Sequence, residues 1–93
     1  MALVPDAEVD AFLESHPEWS SNGGKISRTF VFADFSESIG FVTRVALEAE
    51  KVDHHPDIDI RWNKVAIVLS THSENGLSAR DLAMADAIDE LIN

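Results

Sequence analysis

Three of the chain's four histidines lie close together in sequence, among residues of complementary chemistry: Glu50, His54-His55-Pro56, Trp62, His72 and Arg80-Asp81. Imidazole has an unperturbed pKa of ~6.5, so it can give and take a proton at working pH. Concentrated in this way, these residues point to acid–base catalysis or to a metal site. Adjacent histidines suit a metal poorly, because neighbouring side chains diverge, and neither His-x-His nor His-x-x-x-His occurs. With no cysteine there is no thiolate ligand, no disulfide and no cysteine nucleophile. Gly23-Gly24 falls in a predicted hairpin rather than a phosphate-cradling loop, and no serine sits in a nucleophile-elbow context. Proton transfer is the chemistry these residues favour.

Each member has a structural and a functional reading. Asp81 falls in the first turn of a predicted helix, pointing between Ile88 and Ile92 in the middle of its apolar stripe. A carboxylate there is costly to bury without partners. It can satisfy free backbone N–H groups at the helix start, or hold a ligand or orient a histidine in a pocket. The two roles are compatible. His54 and His55 follow a helix, where a histidine can complement the helix dipole. Two in tandem, with Pro56 restricting His55 to extended geometry, favour a functional role. His72 should stand at the end of a strand. Glu50 precedes His54 by one helical turn and can fix that ring's tautomer, or it is a surface carboxylate beside Lys51. Arg80 can clamp an anion or simply open a helix. Trp62 is either core or a platform for a flat heterocycle. His16 reads as a helix-end residue with no functional role.

The elements that must position these residues are legible from periodicity. A first helix is predicted from about Pro5 to Ser15, with Val9, Phe12 and Leu13 on one face. His16-Pro17 ends it. A short strand at Trp19–Ser21, the turn Asn22-Gly23-Gly24 and an alternating strand Lys25–Phe32 form a hairpin. Ser36 to about Val52 is the long helix, with Ile39, Phe41, Val42, Val45, Ala46, Ala49 and Val52 along its apolar stripe and Leu47 alone on the polar side. Leu47 is an ordinary exposed leucine or a contact with another subunit. Ile58-Ile60-Trp62 and Val65-Ile67-Leu69 alternate around Asn63 as a second hairpin. Ser78-Ala79-Arg80-Asp81 resembles a capping box and opens a last helix that buries Met84, Ile88, Leu91 and Ile92. The order α-β-β-α-β-β-α predicts one α+β domain over residues 1–93, a four-stranded antiparallel sheet with three helices on one face.

Seventeen acidic residues against seven basic give a net charge of −10. Such a field repels nucleic acid and anionic membranes. The opening residues lack a basic and apolar signal-peptide pattern, and the longest apolar run, Val65–Leu69, is too short to span a bilayer. The expectation is a soluble cytoplasmic protein.

The string Glu50-x-x-x-His54-His55-Pro56, with Trp62, His72 and Asp81, resembles the signature of the pterin-4a-carbinolamine dehydratases. Ser27-Arg28-Thr29-Phe30, Asn63-Lys64-Val65, Ser70-Thr71-His72 and Gly76-Leu77 extend the resemblance from Trp19 to the final helix. The resemblance implies the same sheet-and-helix fold. It implies homodimers by sheet extension and homotetramers through the long helix. It also implies dehydration of 4a-hydroxytetrahydropterin to quinonoid dihydropterin and water, in tetrahydrobiopterin recycling, with no metal and no organic cofactor. Carried over by resemblance, His54 and His72 are the acid/base pair. His55 binds and orients the pterin, with a share in proton transfer. Asp81 holds the pyrimidine edge or a histidine, and Glu50 supports His54. Pro56, Trp62 and Arg80 complete the substrate-binding set. One departure is Ile58, where many members carry an aromatic residue. Two other functions share the pattern: a protein-interaction module acting as a transcriptional dimerisation cofactor, and a pterin-binding protein in another pathway.

Overall fold

The computed structural model describes residues 2–92. Helix α1 (Asp6–Ser15) places Asp6 and Glu8 at the positive end of its dipole and buries Val9 and Phe12. Strands β1 (Ser20–Ser21) and β2 (Ile26–Val31) form the first hairpin. Its turn needs positive φ at both Gly23 and Gly24, which glycine adopts without penalty. Helix α2 (Phe35–Val52) starts at Asp34, whose side chain accepts from the Glu37 amide at 2.9 Å. Strands β3 (Asp57–Arg61) and β4 (Lys64–Leu69) form the second hairpin, and α3 (Ala79–Glu90) closes the fold.

All strand pairs are antiparallel, in the order β1-β2-β4-β3. The alternation expected of a one-faced sheet is visible in β4, where Val65, Ile67 and Leu69 are fully buried. They meet Phe41, Val45 and Ala49 of α2 and Met84, Ala85 and Ile88 of α3 in one core. Three helices on a four-stranded antiparallel sheet is the predicted α+β architecture.

Three expectations about packing are corrected. The apolar stripe of α2 is only half buried: Phe41, Val45 and Ala49 are inside, whereas Ile39, Ala46 and Val52 are exposed. With Phe35 and Leu47 they lie on the outside of the molecule, because one sheet covers only one side of a helix. Ile92 is exposed and Leu91 only partly buried, since α3 ends at Glu90. Trp62 is neither core nor close to the histidines. It stands 64% exposed in the β3–β4 turn, with its backbone at φ +54°.

Candidate active site

The ends of three elements meet at one carboxylate. α2 finishes in a Schellman turn, with Asp53 in the left-handed region (φ 52°, ψ 46°) and the His54 amide donating to the Ala49 carbonyl at 3.1 Å. That turn swings His54 inward, where it is buried. From the other side, Ser78 caps α3. Its amide donates to Asp81 Oδ2 at 2.9 Å, and its Oγ accepts from the Arg80 amide at 3.3 Å. Asp81 therefore does cap the helix. The same carboxylate reaches His54, whose Nε2 lies 2.6 Å from Oδ1. Both readings of Asp81 hold in one side chain.

The hydrogen-bond order around Asp81 follows from its being an acceptor. A carboxylate takes protons from its neighbours, so Nε2 of His54 carries the hydrogen. Thr71 Oγ1 donates to Oδ2 at 2.7 Å, which leaves Ser78 Oγ to donate to Thr71 at 2.6 Å. Asp81, Ser78 and Thr71 are all buried, and no buried side-chain nitrogen or oxygen among the described residues lacks a partner. His54 Nδ1 makes no bond within the protein, so it must be the ring atom that reaches solvent. In the neutral ring it carries the free lone pair.

It faces an open cleft of about 390 Å³ that His54, His55 and His72 all line, together with Pro56, Asp57 and Arg80. His72 opens a short 3-10 turn (His72–Glu74) after β4 and is exposed, as is His55. Arg80 does not present a free guanidinium. Its Nη2 donates to the carbonyls of Val52 at 2.8 Å and Asp53 at 2.6 Å, tying α3 to the end of α2. Glu50 bonds His55 Nε2 at 2.5 Å, not His54 as its one-turn spacing suggested. The Schellman turn is the reason: it sends His54 towards α3 and brings His55 back over the last turn of α2. Asp81 has no exposed surface, so the pyrimidine-edge role expected for it gives way to holding a histidine. Trp62, at the opposite end of the β3–β4 hairpin, does not line the cleft of its own chain.

A sequence model of the pterin 4 alpha carbinolamine dehydratase family matches residues 2–91. The chain belongs to the pterin-4a-carbinolamine dehydratase family. It is 49% identical over 92 residues to a protein of Mycobacteroides abscessus named "Putative pterin-4-alpha-carbinolamine dehydratase", with 99% of this chain and 98% of that one aligned. A Chloroflexus aggregans protein of the same name is 50% identical over 93 residues, 99% of each chain. Among solved structures, a Brucella melitensis protein described as a transcriptional coactivator/pterin dehydratase superposes with a TM-score of 0.94 at 35% identity, covering 99% of this chain and all of that one. A pterin dehydratase-like protein described as a RuBisCO assembly factor of the alpha-carboxysome shares the fold, at a TM-score of 0.66 and 22% identity over 78% of this chain.

Thr71, the hydroxyl that links Ser78 to Asp81, is a member of the site that the histidine and carboxylate pattern does not include. Its signal was present: Thr71 continues the inward alternation Val65-Ile67-Leu69, which puts a hydroxyl where it must find a partner. Ser70 and Asp53, which also line the cleft, carried no such signal.

Proposed function

We propose that the protein dehydrates 4a-hydroxytetrahydropterins to quinonoid dihydropterins and water, recycling the cofactor of a pterin-dependent hydroxylase. The observation that carries this reading is the His54–Asp81 pair, which sets a lone-pair nitrogen at a cleft shared with two further imidazoles. The reaction breaks the C4a–O bond. A protonated imidazole delivers a proton to the leaving hydroxyl, and a neutral one removes the proton from N5, so protons balance and water departs. His54 Nδ1 is suited to one of these transfers and His72 to the other. His55, held by Glu50, orients the ring system and can share in proton transfer. Asp81 acts through His54 and is a positioning residue. Pro56 and Arg80 shape the cleft wall.

Decay of enzymatically generated 4a-hydroxytetrahydropterin, followed by ultraviolet absorbance, tests the proposal. Wild type should accelerate it, and His54→Ala or His72→Ala should each lower the rate by at least ~10²-fold with circular dichroism unchanged. Absence of acceleration by folded wild type would overturn the dehydratase reading.

A second reading has its own support. Phe35, Ile39 and Leu47 leave apolar surface exposed on α2, and the Brucella relative is described as a coactivator as well as a dehydratase. A homodimer, a homotetramer or a protein partner could use that surface without touching the cleft.

A further inference from the structure

The cleft does not end at His72. Ser70, Thr71 and His72 also wall a second, smaller pocket of about 140 Å³, which runs on past Lys25 and Asn75 over the turn at Gly23–Gly24. The sheet register brings Lys25 there. Ile26 pairs with Leu69, so the residue before one stands beside the residue after the other, and Lys25 neighbours Ser70. Residues opposed across antiparallel strands lie only ~5 Å apart, so the Lys25 side chain needs no more than its own length to reach the cleft rim.

The chemistry of this pocket differs from its surroundings. The chain carries seventeen acidic residues, yet no carboxylate lines this pocket. Aspartates line the cavities on either side: Asp53 and Asp57 in the cleft, Asp6 and Asp10 beyond the glycine turn. Lys25 has no ion pair or hydrogen bond from its ammonium group among the described residues, a state it shares with Arg44 of α2, whereas Arg28, Lys51, Arg61, Lys64 and Arg80 are all bonded to carboxylates or carbonyls. The side chains of Ser70, His72 and Asn75 are likewise without partners. Four groups able to donate hydrogen bonds converge on one small space, with no acceptor side chain committed to them.

We propose that this pocket binds an anionic group, a carboxylate or a phosphate, at the end of the substituent on the bound pterin. The inference rests on the pterin reading of the cleft and extends it to a substrate class: pterins with a negatively charged side chain. Lys25 supplies the charge, while Ser70 and Asn75 supply donors. His72 stands on the wall shared with the cleft, so ring and tail are read side by side. Thr71 links the two compartments, bonding Asp81 through its hydroxyl and the Gly76 carbonyl through its amide at 2.8 Å.

Calorimetric titration of the full chain with stable oxidised pterins tests this. Three ligands would differ only in the substituent: a neutral hydroxyalkyl group, one ending in a carboxylate, and one ending in a phosphate. Wild type should bind at least one anionic pterin roughly three- to tenfold more tightly than the neutral one, the margin shrinking as salt is raised. The arm that shows the margin identifies the anion. Lys25→Gln should bring the anionic pterin down to the affinity of the neutral one, and Lys25→Arg should keep the preference. Equal affinities in wild type, or a preference that survives Lys25→Gln, would overturn the proposal. A preference for the charged pterin without any dehydration would leave the pocket standing and sink the dehydratase reading alone. Failure to bind any pterin would overturn both.

Discussion

The Asp81 carboxylate takes three hydrogen bonds from three different groups, and together they need an acceptor at both oxygens. Asp81→Asn replaces one oxygen with an amino group. If the amide keeps its oxygen towards Ser78 and Thr71, the amino group faces His54 Nε2 and donates to it. The ring proton then moves to Nδ1, and the lone pair leaves the cleft. Turnover should fall between about 10² and 10⁴-fold, with a changed pH–rate profile, because the wrong tautomer is offered to substrate. Near-normal turnover with an unaltered profile would remove Asp81 from the machinery. How far this was legible in the sequence differs by residue. The tension of a carboxylate on an apolar stripe marked Asp81, and the tandem with Pro56 marked His54 and His55. Which histidine Glu50 would meet was not legible, because it depends on a left-handed residue, Asp53, that no periodicity announces. Aspartate tolerates that geometry through its short polar side chain, so its identity alone does not give the turn away.

At the scale of elements, strands and helices follow their patterns closely. The two hairpins, the capping box at Ser78 and the helix stop at Pro17 all rest on short-range chemistry that a sequence displays directly. What covers an apolar residue is not local. The α2 stripe reads as one face, yet Ile39 and Val52 lie outside the core. Trp62 is the plainest case: alternation with Ile58 and Ile60 suggested a buried or ligand-facing ring, but the hairpin turns at Trp62 itself. A bulky residue at φ +54° costs about 1–2 kcal/mol that asparagine largely avoids. Trp62→Asn should therefore raise the melting temperature by a few degrees. A clear drop instead would mean that the ring packs against another subunit.

For the molecule as a whole, α1 is fastened to α3 by a second histidine. The His16 ring stacks on Phe12 at 3.8 Å, and its Nδ1 meets the Phe12 carbonyl at 2.8 Å. Its Nε2 meets Asp86 at 2.6 Å. Both nitrogens face acceptors, an arrangement that suits the doubly protonated ring. Burial pushes its pKa down, but the Phe12 carbonyl, the bonded Asp86 and the charge of Asp89 outweigh this and leave it above 6.5. A group raised on folding stabilises fully below its unfolded pKa, and the contribution fades as pH climbs through the folded value. Urea midpoints should thus fall more between pH 6 and pH 9 for wild type than for His16→Gln. Equal falls would show that the fastening carries no proton linkage. The sequence showed His16 only as a helix end, because its partner lies seventy residues away.

A different kind of coupling follows from the shared cap. The proton on the Ser78 amide is guarded by one oxygen of the carboxylate whose other oxygen holds the imidazole of His54, so fraying of the first turn of α3 frees the carboxylate that fixes the ring. Hydrogen–deuterium exchange at that single amide should therefore track the molecules in which His54 has come loose, with no substrate in the tube. Any partner that slows this exchange tightens the cleft, however far from it the partner docks.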